Sequence, residues 1–160
     1  MINISINIEH LFNLVNQRTL YIADQIDAAL GAMMIDKVPI TEDDRTYFNT
    51  ALRDASVRVA LKFSALSKGL DVPFTVDETN GVVVFRVDET RSSTQAAILE
   101  TVLPGMIMRA IMLWIVSDWL RIKGVSANYY VTESQELETL LNEIKSLSKQ
   151  KTARIKYMMY

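Results

Sequence analysis

The chain has 160 residues, no cysteine, one histidine and a formal net charge of −2. That length suits a single domain, which can bury about 70% of its unfolded surface without staples. The lack of cysteine excludes disulfides, thiolate metal sites and cysteine nucleophiles. The near-neutral charge gives no global pull toward nucleic acid, and a secretory signal is not expected, because the N-terminus has no basic region followed by a continuous apolar run.

Residues 1–8 are expected to be extended. Ile2, Ile4, Ile6 and Ile8 alternate with Asn3, Ser5 and Asn7, the period-2 pattern of a half-buried strand. No hairpin partner follows, so two readings stand: an edge strand on its own chain, or an arm that adds to a neighbouring subunit through main-chain hydrogen bonds. From Glu9 to Ile35 the period turns helical. Asn16, Gln17, Arg18 and Thr19 predict a break, with Thr19 capping a second helix. Gly31 weakens that helix, and Val38-Pro39 closes it, since the residue before proline avoids the α region.

Thr41 opens the next helix, with Glu42, Asp43 and Asp44 in its first turn. Acids suit the positive end of the helix dipole, and Thr41 with Asp44 approximates a capping box. Phe48, Leu52, Ala55, Val59, Phe63 and Leu66 share one face. Lys68-Gly69 predicts the end, about 40 Å from the start at 1.5 Å per residue. Residues 72–88 predict a β-hairpin turning at Asn80-Gly81, the favoured type I′ dipeptide. That turn sets Val76 opposite Phe85 and Phe74 opposite Val87. Val82 and Val84 fall on the other side, so the tip is apolar on both faces.

Arg91, Ser92, Ser93 and Thr94 form a linker, and a short helix follows from Gln95 to Val102. Pro104 is expected to open a new helix, since proline costs nothing in a first turn. Residues 103–122 carry Trp114 and Trp119 and only three charges, Arg109, Asp118 and Arg121. Ile107, Ile111, Trp114 and Ile122 lie on one side, and Met108, Met112, Ile115 and Trp119 on another. Such a helix is buried on most sides; the charges inside the run argue against a membrane span. A loop holds Tyr129 and Tyr130. Thr132 and Gln135 cap the last helix, whose buried face is Leu137, Leu140, Leu141, Ile144 and Leu147. Its acids come early and its bases late, as the dipole favours. Residues 145–160 form a basic tail ending in Tyr157, Met158, Met159 and Tyr160, residue types enriched at interfaces.

No constellation nominates catalysis. His10 has neither an orienter nor a nucleophile in sequence reach. Asp36, Glu42, Asp43 and Asp44 lack calcium-loop spacing and suit a helix start. Arg109 is expected to snorkel out of the core or to pair within its own chain; the other readings are a pair with an acid such as Asp118 of another chain, or a place facing a channel.

The order of elements resembles the head–tail connector (adaptor) proteins of long-tailed bacteriophages. The likeness rests on ITEDDRTYFNTALRDASVRVALKF at 40–63, the hairpin at 72–88 and LPGMIMRAIMLWIVSDWLRIKG at 103–124. The longer N-terminal segment, the longer last helix and the YMMY ending depart from the family pattern. The resemblance implies one mainly α domain over 1–160, a helical bundle with a β-hairpin between long helices. It also implies a structural, non-enzymatic virion neck protein without cofactor, made in the host cytoplasm. Its partners would be its own copies, in a head-to-tail ring of about twelve, the portal protein, and a stopper or tail-completion protein. DNA would pass through the channel without specific contact, and no membrane is involved. Arg154, Lys156, Tyr157, Met158, Met159 and Tyr160 would dock on the portal. Ile2, Ile4, Ile6, Val82, Val84, Met108, Arg109, Met112 and Trp119 would meet neighbouring subunits, part of the Met108, Met112 and Trp119 side being covered only on assembly, while Ile107, Ile111 and Trp114 would be core within the chain. The alternatives are a DNA-binding or packaging accessory that uses Lys149, Lys151, Arg154 and Lys156, and a small helical enzyme or ligand-binding protein, which would need a deep pocket with converging polar groups.

Overall fold

A computed structural model describes residues 2–31, 36–62, 73–87 and 93–157, with backbone alone for 93–96, 98–99 and 148–157. Within these residues the chain is mainly helical, with one small antiparallel sheet. Strand β1 (Ile2–Asn7) runs directly into helix α1 (Ile8–Leu30). A 3-10 turn at Glu42–Asp44 leads into α2 (Arg45–Lys62). Strands β2 (Phe74–Asp77) and β3 (Val82–Val87) form the hairpin. Helix α3 (Ser93–Ile122) and α4 (Val131–Tyr157) complete the chain. The expected helix end at Lys68-Gly69 and the linker residues Arg91 and Ser92 lie outside the described residues.

The alternating isoleucines do form a strand. It pairs with the far side of the hairpin, in the order β1-β3-β2. Ile2, Ile4 and Ile6 are buried, while Asn3, Ser5 and Asn7 face solvent. The strand therefore belongs to its own chain's sheet as an edge strand, the first of the two readings. Asn7 ends the strand and caps α1, its side chain accepting from the His10 N–H at 2.7 Å.

Helix α1 does not break at residues 16–19. Two of the polar residues that predicted a break, Asn16 and Thr19, are clamps. Thr19 donates back to the carbonyls of Val15 and Asn16 and accepts from the Ile40 N–H at 3.1 Å. The Asn16 amide donates to the Ile40 carbonyl at 2.6 Å. Gly31, at φ 62°, closes the helix in the left-handed region. The Thr41–Asp44 capping box forms, with Thr41 N–H donating to Asp44 Oδ2 at 2.9 Å, and precedes the 3-10 turn rather than α2 itself.

The hairpin register differs by two residues from the expected one. Phe74 opposes Phe85 and Val76 opposes Val83. A type I′ turn needs positive φ at both central residues, and among the described residues only glycines have positive φ. Asp77 instead accepts from the Asn80 N–H and side-chain amide. This makes a four-residue loop closed by Gly81 at φ 65°. A two-residue shift leaves each side chain on its face, so the apolar pattern holds.

Pro104 lies inside α3, which is one continuous helix rather than the two expected. The helix is the centre of the molecule: α1, α2, α4 and β1 all pack on it. Its length and composition would serve for a membrane span, but the chain's own elements account for its apolarity. Leu103, Ile107, Ala110, Ile111, Ile115, Val116, Trp119 and Leu120 are all buried in one core with the isoleucines of β1 and Phe48 of α2. α4 begins at Val131, one residue before the expected cap. It is pinned to α1 by an ion pair between Arg18 and the buried carboxylate of Glu133.

Candidate interaction groove between α2, α3 and α4

Helix periodicity puts Trp114, Ser117, Asp118 and Arg121 on one flank of α3, at steps of three and four residues. Arg58 approaches from α2, Tyr130 from the α3–α4 connection, and Ser134 and Leu137 from α4. Together they line a groove of about 310 Å³. The Arg58 guanidinium lies 5.2 Å from the centre of the Trp114 ring, within the range of an attractive cation–π contact. Ser117 lines the same groove, and its hydroxyl has no hydrogen-bond partner among the described residues.

Asp118 organises the floor. It accepts from the Tyr47 hydroxyl at 2.9 Å and from Arg121 at 2.6 Å. Tyr47 in turn packs its ring on Trp119, at 4.7 Å between centroids. Burial pushes the Tyr47 phenol well above its ordinary value, helped by the hydrogen bond to Asp118 and by its charge. The Trp119 indole N–H donates to the Val38 carbonyl at 2.6 Å, so this tryptophan ties the segment before α2 to the core.

Trp119 is thus covered within the chain, and the expectation that it waits for assembly is corrected. The partition is close to the reverse for the pair of tryptophans: Trp114 is half-buried at the groove, while Ile107 and Ile111 are core as expected. Met108 and Met112 are half-buried against the same core. Arg109 reaches solvent with 58% of its side chain exposed and pairs with Glu136 of α4. Its partner is in its own chain, and Asp118, the acid proposed for it, is engaged by Tyr47 and Arg121.

Val82 and Val84 are half-buried on the outer sheet face, beside Asn7 and Ser5 of β1. Asn80 and Gly81 form the hairpin loop, where the Gly81 carbonyl accepts from the Ile8 N–H at 2.9 Å. Arg154, Lys156 and Tyr157 lie on the last turns of α4, with side chains outside the described set; Met158, Met159 and Tyr160 lie outside the described residues. Sequence reasoning missed the groove because its residues come from three helices. The spacing of Trp114, Asp118 and Arg121 was the one local signal for it.

The groove is positively biased, with Arg58 and Arg121 against the single carboxylate of Asp118. It offers an aromatic face, two guanidiniums and hydroxyls, a surface that can receive an acidic or aromatic side chain. Comparison with known protein families, with characterised proteins and with solved structures finds no match to the chain.

Proposed function

We propose that the chain is a structural protein of a bacteriophage neck, acting like a head–tail adaptor that assembles as a ring on the portal. The observation that carries this reading is the groove lined by Arg58, Trp114, Arg121 and Tyr130. Tryptophan, tyrosine and arginine are the residue types that dominate the energetics of protein interfaces. A head-to-tail ring also requires two different contact surfaces on each subunit. Apart from the groove, Val57 and Leu61 stand exposed one turn apart on α2, and Leu20, Tyr21 and Leu30 stand exposed on α1. The order of elements supports the same reading: an acid-started helix, a hairpin, a tryptophan-bearing central helix and a last helix about 40 Å long.

The test is native mass measurement of the protein alone and with purified portal rings. The expected outcome is a defined multi-copy complex on the portal. Replacing Arg58 and Trp114 together by alanine should abolish it, and so should removal of the last four residues, without loss of helix signal. A chain with no affinity for the portal at any concentration overturns the reading. Salt-dependent DNA binding in place of portal capture would assign the chain to the packaging accessories instead.

A further inference from the structure

The two edges of the sheet are built differently. β2 is short, follows Pro73, ends in the charged Asp77 and packs beside α2. Short length, proline, charge and cover are the usual protections of an edge strand. β1 has six residues, with no charge and no proline.

The ladder's phase shows which main-chain groups of β1 are free. The Ile8 N–H donates to Gly81 O, and the Arg86 N–H donates to Pro73 O. Both bonds continue the strand registers. Residues opposite one another in an antiparallel pair alternate between bonded and non-bonded. Ile2, Ile4 and Ile6 therefore bond to β3, while Asn3, Ser5 and Asn7 turn their main-chain groups away from it. The Asn7 carbonyl begins α1. That leaves the N–H and C=O of Asn3 and Ser5 and the N–H of Asn7, and these meet no partner among the described residues.

The strand is also a palindrome. Residues 2–8 read Ile-Asn-Ile-Ser-Ile-Asn-Ile about Ser5. Laid antiparallel on a second copy across a two-fold axis at Ser5, it matches Ser5 with Ser5, Asn3 with Asn7 and Ile4 with Ile6. Each pair joins like with like, no charges oppose, and the buried isoleucines of the two copies become one continuous face. The outward groups fall in phase: Ser5 exchanges two hydrogen bonds with its counterpart, and each Asn7 N–H reaches the other copy's Asn3 carbonyl.

We infer that the β1 edge is a self-pairing surface, through which two copies of this chain join their sheets into one of six strands around Ser5. This goes beyond the neck reading and does not depend on it. A two-fold contact uses the same patch on both subunits and cannot repeat around a head-to-tail ring. The pair is therefore a contact separate from the one that would close such a ring.

The experiment is sedimentation equilibrium of the free protein from micromolar to millimolar concentration, beside Ser5→Pro, Ser5→Lys and Ser5→Cys variants. Proline at residue 5 removes an outward N–H and no bond to β3, so the fold should persist. Lysine keeps the backbone and places like charges across the axis. The chain has no cysteine of its own, so Ser5→Cys gives a single site for a short thiol cross-linker. Expected are a reversible dimer for the wild type, at least a tenfold weaker association for Ser5→Lys and for folded Ser5→Pro, and efficient cross-linking of Ser5→Cys pairs. A wild type that stays monomeric throughout, or a dimer that Ser5→Lys leaves unchanged, overturns the proposal. So does an edge protected from hydrogen exchange only in complex with another protein, which would assign it to a partner's strand. Portal capture is read separately, so either idea can fail alone.

Discussion

The N–H of Ile40 donates to the hydroxyl of Thr19 over 3.1 Å, joining residues 21 apart in the chain. Both are fully buried. With Asn16 Nδ2 on the Ile40 carbonyl, two side chains from the middle of α1 satisfy both main-chain groups of one residue in an irregular segment. Buried amides need such partners.

Replacing Thr19 by valine keeps the shape and removes the acceptor. The Ile40 N–H is then buried without a partner, which costs about 1–3 kcal/mol. Urea denaturation should show that loss with little change in slope. Serine at the same position should retain most of the stability. Equal losses for valine and serine would mean that packing, and not the hydrogen bond, is what Thr19 supplies.

Tyr47 makes a pH prediction. Its pKa in the folded chain is raised above the ordinary value of 10.0, first by burial and then by Asp118. A raised value means that the neutral phenol is favoured by folding. Its contribution is complete below pH 10.0 and fades as pH climbs from there toward the folded value. Tyr47→Phe removes the hydroxyl, so the variant should be less stable at pH 7, and its deficit should narrow above pH 10.0. Denaturation curves from pH 7 to 11 would check this. A gap between the two proteins that stays constant or widens would contradict it.

Two glycines with open space around them should respond oppositely to alanine. A Cβ at Gly81 or Gly105 would meet nothing within 4 Å. Gly81 sits at φ 65°, where an L-residue costs about 1–2 kcal/mol, so Gly81→Ala should destabilise. Gly105 lies within α3 at ordinary helical φ, and Gly105→Ala should stabilise by about 1 kcal/mol through backbone entropy. Thermal melts of the two variants should move in opposite directions.

The parts that could be read in advance were those whose signal is local. Alternating isoleucines made a strand, Thr41 with Asp44 made a capping box, and the Asp77–Val82 stretch made a hairpin whose loop needs Gly81. The central helix was legible because few of its residues tolerate water. Four readings failed, and for all but Asn80 the groups that changed the balance are distant in the chain. Asn16 and Thr19 look like helix breakers until Ile40 arrives to use them. Asn80 looks like half of a two-residue turn until Asp77 captures its amide. Pro104 looks like a start, although α3 runs on through it, held by Leu103 and Ile107 buried in the core on either side. Trp119 looked like a surface waiting for a neighbour until Val38 and Tyr47 covered it.

The groove shows the same division. Arg121 and Asp118 are an ordinary helix pair in sequence, and Trp114 is one more apolar residue. Only the packing of α2 and α4 against α3 brings Arg58, Tyr130 and Ser134 to the same place.

By itself, then, the sequence determined which segments are helix or strand, which faces are apolar, and that residues 103–122 must be enclosed, because these follow from side-chain period and transfer from water. The tertiary structure alone decided what encloses them. β1 finds β3 across about 80 residues of chain, a choice set by long-range burial and loop closure rather than by any neighbouring residue. It therefore also decided that Ser5 ends on an open edge and Trp119 in a closed core.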